Sequence, residues 1–133
     1  AGDAALLASV DATATAMREA MEVQEIHNAL SALWALIAEG DGYIARTEPW
    51  ALKKTDPARM GTVLYVAAEA LRNIAILSQP VIPDAAGKLL DMLGVAAGDR
   101  DFSSLGEAGR LAAGASIAQP QGLFPRFVEE AAS

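Results

Sequence analysis

At 133 residues and 53% hydrophobic side chains, the chain is one domain's worth: long enough to bury a real core, short for an enzyme that must position two substrates. It has no cysteine, which excludes disulfides and thiolate metal sites, and it shows neither a run of about 18 uncharged apolar residues nor a basic amino terminus leading into an apolar stretch, so a soluble cytoplasmic protein without a membrane partner is expected. The formal charge of −7 is awkward for any binder of polyanions, yet four of the ten basic residues, Arg46, Lys53, Lys54 and Arg59, fall within fourteen positions, which predicts one small basic face on a repelling body.

The pattern along the chain is helical. Asp3 is placed to cap a helix whose apolar positions are Leu6, Leu7, Val10, Ala14, Met17 and Met21. After Met21 the phase shifts, and Ile26, Ala29, Leu30, Leu33, Trp34, Ile37 and Ile44 form a second stripe that predicts a helix to about Thr47, through the unfavourable Gly40–Asp41–Gly42. Trp34, spaced with Leu30 and Ile37, reads as a core aromatic. Thr55 or Asp56 followed by Pro57 is a start signal, so a third helix is predicted over 57–78, with the stripe Met60, Val63, Leu64, Ala67, Leu71, Ile74 and Leu77 and with Pro80 beyond its end. Pro83 opens a fourth helix carrying Leu89, Leu90, Met92 and Leu93, and Gly94 stands where a left-handed cap belongs.

Beyond it the chain is punctuated by Gly98, Gly106, Gly109, Gly114, Pro120, Gly122 and Pro125, with Phe102, Leu105, Leu111, Ile117, Leu123, Phe124 and Phe127 as apolar anchors. The expectation is an all-α bundle of four to five helices over 1–98, with an irregular tail over 99–133 packing back on it around a short helix near 103–109.

Tyr43 to Lys54 is the most informative stretch. Pro49 restricts its own φ and that of Glu48, so the second helix should stop near Thr47 and Trp50 should fall at a corner. An aromatic at a corner flanked by Arg46, Lys53 and Lys54 suits the stacking of an unpaired base while cations meet its phosphates, although on local physics alone a ring that plugs a gap between helices is the plainer reading. The other candidates for chemistry are weak. His27 is the single histidine and has no cysteine or second histidine to share a metal, so a solvent-facing or core-edge position is expected. Glu22 with Glu25, and Asp84 with Asp91, read as caps and solvated faces, and Ser78, Ser103 and Ser104 lack the glycine-flanked elbow of a nucleophile. No phosphate loop or dinucleotide fingerprint occurs.

Tyr43, Pro49–Trp50, Leu52 and Lys54, followed in order by Leu71–Arg72–Asn73–Ile74–Ala75–Ile76–Leu77, Gln79–Pro80–Val81–Ile82–Pro83, Leu89–Leu90–Asp91–Met92–Leu93–Gly94 and Leu123–Phe124–Pro125–Arg126, resemble the anticodon-binding domain of bacterial-type methionyl-tRNA synthetases over nearly the whole chain. The resemblance implies that Trp50 stacks on the first anticodon base, that Lys54, with Lys53 and Arg46 nearby, meets anticodon phosphate or base edge, and that Tyr43 is structural. It implies methionine tRNA as partner, together with a catalytic domain that this chain does not contain, since neither a His-x-Gly-His nor a Lys-Met-Ser-Lys-Ser type motif occurs. ATP and zinc would belong to that catalytic part, with no catalytic residue, metal site or cofactor in this segment, and a monomer is expected. Asp41 and Ala45 stand where the family usually carries asparagine and aspartate. The asparagine and arginine that read the cytosine, one helical turn apart, have no counterpart before Trp34, so the resemblance places that helix upstream of Ala1. Two alternatives remain: an anticodon domain of a related isoleucine, valine, leucine or cysteine synthetase, and a helical interaction module without an RNA ligand.

Overall fold

The computed structural model describes residues 2–111, with the side chains of residues 107 and 108 left aside. Five α-helices, α1 (Gly2–Glu22), α2 (Ile26–Thr47), α3 (Pro49–Thr55), α4 (Pro57–Ser78) and α5 (Pro83–Met92), are followed by 3₁₀ turns at Ala97–Asp99, Phe102–Ser104 and Gly106–Gly109. This is the all-α bundle expected. The anchors Ile117, Leu123, Phe124 and Phe127 lie outside the described residues.

α1 and α2 pair as a hairpin, joined where Gln24 takes a left-handed φ of 60° and the Glu25 amide donates to the Ala20 carbonyl at 2.8 Å. Asp3 does not cap α1. It lies inside the first turn, and its carboxylate is engaged elsewhere. α2 runs unbroken through Gly40 and Gly42, because its burial on α1 and α4 outweighs the roughly 1 kcal/mol that each helical glycine costs. Asp56, rather than Thr55, caps α4 by accepting from the Arg59 amide at 3.1 Å. Gly94, at φ 75°, ends α5 as its position suggested, with the Val95 amide donating to the Leu90 carbonyl.

α4 is the central element and contacts α1, α2, α3 and α5. By length and apolar composition it would suffice to cross a bilayer, but most of it is buried inside the bundle, so it serves here as a core helix. Three apolar clusters surround it. One joins Val10, Met17, Ala29, Leu33 and Leu36 to Leu77; one joins Leu6 and Tyr43 to Val63, Val66 and Ala70; one joins Ala75 and Ile76 to Leu90, Leu93 and Val95.

Two expectations about the core are corrected. Trp34 is 65% exposed, because α2 turns Ala29, Leu33, Leu36 and Tyr43 inward and the residue after Leu33 stands about 100° around the helix. On α4 the predicted stripe is only half right: Val63 and Leu77 are buried, whereas Leu64 and Leu71 stand on the open side. What fills the third side of α4 is polar. Glu69, Arg72 and Asn73 are fully buried there, covered by the segment 100–111.

That segment is gripped through its backbone. Arg72 pairs with Glu69 and donates to the carbonyls of Ser104 (2.7 Å) and Gly106 (2.9 Å). Asn73 accepts from the Gly106 amide at 2.9 Å, and Glu69 accepts from the Leu111 amide at 3.0 Å. Tyr65 donates to the Leu111 carbonyl at 2.7 Å and Gln79 to that of Arg100 at 2.6 Å. No buried side-chain polar atom is left without a partner among the described residues, as the burial of charge requires. The short helix expected near 103–109 appears as two 3₁₀ turns, with Phe102 and Leu105 packed on the core.

Candidate nucleic-acid interface

α3 is seven residues long and is joined to its neighbours by one residue at each end, Glu48 before it and Asp56 after it. Glu48 performs both jobs at its joint. Its amide closes α2 by donating to the Ile44 carbonyl at 3.0 Å, and its carbonyl opens α3 by accepting from Ala51 at 2.9 Å. The chain turns there because Glu48 takes φ 45° and ψ 61°, a left-handed conformation rather than the extended one that proline usually imposes on its predecessor. Pro49 sits at the first helical position, where a missing amide hydrogen costs nothing, and is buried.

With Pro49 buried and Leu52 packed against the Tyr43 and Val63 cluster, the opposite side of α3 faces solvent. Trp50, Lys53 and Lys54 are spaced i, i+3 and i+4 and so share that side. Trp50 is 64% exposed, as a stacking platform requires and a gap filler does not allow, and both lysines are exposed. The structure thus brings three of the four expected contact residues onto one face. Arg46 stands apart. It is exposed in the last turn of α2, its guanidinium reaching back over Gly42 and lining a shallow hollow with Gly2, Ala5, Leu6 and Glu39.

Arg59 does not belong to the free basic face that its position suggests. It makes a two-pronged ion pair with Asp3, Nη1 to Oδ2 at 2.6 Å and Nη2 to Oδ1 at 2.9 Å. Tyr43 donates its hydroxyl to the same Oδ1 at 2.7 Å. The Arg59 guanidinium and then the Tyr43 hydroxyl hold the Asp3 carboxyl down at about 2. Burial and the Asp3 hydrogen bond push the Tyr43 hydroxyl up to about 12. Tyr43 is therefore structural, as expected. Sequence reading missed its partners, because Asp3, Tyr43 and Arg59 lie 40 and 56 residues apart from one end to the other two, and no local spacing joins them. Asp41 and Ala45 are exposed on α2, Asp41 beside Ile37, Ile44 and Leu71. His27 is exposed in the first turn of α2.

The family model described as the anticodon binding domain of methionyl tRNA ligase matches residues 1–133. The methionine–tRNA ligase of Rhizobium meliloti is 54% identical over 126 residues, which cover 95% of this chain and 24% of that protein. The corresponding ligase of Brucella suis is 52% identical, with 96% of this chain and 24% of that protein covered. Among solved structures, the free form of Mycobacterium tuberculosis methionyl-tRNA synthetase is similar with a TM-score of 0.88 at 40% identity, over 96% of this chain and 26% of that one. The same enzyme bound by methionyl-adenylate has a TM-score of 0.85 at 38% identity, over 92% of this chain and 25% of that one. The chain therefore spans about a quarter of the length of the relatives it matches, and by family match, sequence identity and fold it belongs to the anticodon-binding domain family of methionyl-tRNA ligases.

Proposed function

We propose that this chain binds the anticodon loop of methionine tRNA, with CAU as its anticodon, on behalf of a catalytic part of the same polypeptide that attaches methionine using ATP. Trp50 supplies a ring on which the splayed first anticodon base stacks, and Lys53 and Lys54 on the same face meet the neighbouring phosphates. Arg46, one helix back, adds positive potential at longer range. The segment performs no bond chemistry and uses no metal or cofactor of its own; it works as part of a monomeric cytoplasmic enzyme. The observation that carries the reading is the exposure of Trp50 on a helix whose other side is seated by Pro49 and Leu52.

Trp50→Ala tests it. Binding of an anticodon stem-loop of methionine tRNA should weaken by roughly 1–3 kcal/mol, the worth of one base on one ring, while the melting temperature stays unchanged. Unaltered binding would reject the stacking role. A non-RNA interaction module is the competing reading, and the exposed apolar side chains Trp34, Leu64 and Leu71 give it an observation of its own. It would be favoured by a folded protein that binds no stem-loop even at low salt.

A further inference from the structure

The geometry points to Asp3, Tyr43 and Arg59 as positioning residues for Trp50: a three-way tie that fixes the two ends of α3, and with them the direction of the stacking ring, without touching RNA. The inference rests on the anticodon reading and adds to it the residues that set its geometry.

A seven-residue helix has no stability of its own in water, so its orientation is inherited from its attachments. Those attachments are single residues. The turn between α2 and α3 is Glu48, and the turn between α3 and α4 is Asp56, so the placement of α3 follows directly from where α2 stops and α4 starts. Tyr43 lies in the last turn and a half of α2, and Arg59 is in the first turn of α4. Both side chains converge on one carboxylate, Asp3 of α1, which accepts the tyrosine hydroxyl at 2.7 Å and both guanidinium prongs at 2.6 and 2.9 Å. α1 therefore serves as the common post to which the two ends are tied.

The surroundings make the tie stiff. The Tyr43 ring is fully buried in the cluster with Leu6, Val63 and Val66, onto which Leu52 of α3 also packs. At the joint itself, Thr47 donates to the Tyr43 carbonyl at 2.8 Å, carrying the anchored residue's position to the residue before Glu48. Loosening Arg59 or Tyr43 leaves the apolar seat of α3 but frees the angle between its two attachments. A stacking contact is sensitive to ring placement, because aromatic rings gain most in offset-stacked or edge-to-face arrangements with centroids about 4.5–7 Å apart.

This assignment removes Arg59 from the set of phosphate contacts, which gives the test. Dissociation constants for an anticodon stem-loop of methionine tRNA would be measured against salt concentration for the full chain and for Arg59→Met, Tyr43→Phe, Lys54→Met and Trp50→Ala, each well below its own melting temperature so that only folded protein is compared. Arg59→Met and Tyr43→Phe are expected to weaken binding about 3- to 10-fold at every salt concentration and to leave the slope of log Kd against log salt unaltered. Lys54→Met, a phosphate contact, is expected to reduce that slope by about 1. A reduction of the slope by Arg59→Met like that of Lys54→Met would show that Arg59 meets phosphate and would overturn the inference, as would parental affinity in folded Arg59→Met and Tyr43→Phe. Tyr43→Phe keeps the core volume and removes one hydroxyl, so it carries the test if Arg59→Met does not fold. Parental binding by Trp50→Ala would instead reject the anticodon reading itself, whatever the other variants do.

Discussion

At the scale of single residues, the two tryptophans show how environment decides what a side chain is for. Trp34 and Trp50 are about equally exposed, but Trp34 stands among Ser31, Ala35, Ala38 and Asp41 on the open side of α2, with no cation beside it in sequence, whereas Trp50 has Lys53 and Lys54 within one turn. Because Trp34 fills no cavity, Trp34→Ala should lower the unfolding free energy from denaturant titration by no more than about 0.5 kcal/mol, far from the roughly 3–5 kcal/mol that a core aromatic costs. A loss in the larger range would show that the ring is covered. Asp3 provides a pH test. Its folded carboxyl titrates near 2, below the ordinary 3.8, so the stability it adds is present above about pH 4 and is lost as pH falls toward 2. Urea midpoints of the parent and Asp3→Asn should therefore differ by a constant amount near neutrality and converge on acidification through that window. A gap that persists at the acid end would show that the contribution does not depend on ionised Asp3.

At the scale of elements, α4 carries the one fully buried ion pair among the described residues. Glu69 and Arg72 are both fully buried; beyond their own ion pair, Arg72 donates to the backbone of Ser104 and Gly106, and Glu69 accepts from the Leu111 amide and the Asn73 side chain. Arg72→Ala leaves the Glu69 charge buried without its partner, which should cost about 3–5 kcal/mol and open the segment to trypsin at Arg100 and Arg110. Gly109→Ala should produce the same proteolytic pattern from the other side: an added Cβ would collide with the Ser104 carbonyl and come within 2.9 Å of Arg72 Nη1. A resistant Gly109→Ala protein would mean that the segment can shift without releasing its grip. Gly40 is the opposite case. Nothing lies within 4 Å of the position its Cβ would occupy, and the residue is interior to α2, so Gly40→Ala should raise stability by about 0.5–1 kcal/mol in the same urea titration.

At the scale of the whole molecule, charge limits what the chain does alone. A body at −7 approaches a polyanion with Lys53, Lys54 and Arg46, since Arg59 is already paired. Stem-loop binding by the isolated chain should be weak and steeply salt-dependent, and should discriminate little among bases at the first anticodon position, because every base presents a face to an aromatic ring. Tethered to a part that grips the tRNA elsewhere, the same contact becomes intramolecular and raises overall affinity by orders of magnitude. Titrating stem-loops that differ only at the first base would check this. Tight and selective binding by the chain itself would place base-edge readers within it.

Much of this architecture is written locally. The ends of α2, α4 and α5 follow from Pro49, from Asp56–Pro57 and from Pro83 with Gly94, because proline and capping chemistry act within one turn and need no tertiary partner. The corner at Trp50 and its two lysines were legible for the same reason, but local chemistry allowed the ring to plug a gap as well as to stand open, and only the burial of Pro49 and Leu52 turns it to solvent. Other features depended on which faces meet. Periodicity marks an apolar stripe but not the number of neighbours a helix acquires, so Trp34, Leu64 and Leu71 looked internal and are exposed, while Glu69, Arg72 and Asn73, outside that stripe, are sealed by a segment more than thirty residues away. The Asp3–Tyr43–Arg59 tie is of the same kind. Each residue is unremarkable in its own helix, and only the packing of α1 against α2 and α4 brings one carboxylate within hydrogen-bond reach of both partners, which turns a charge that the sequence offers to RNA into one spent inside the fold.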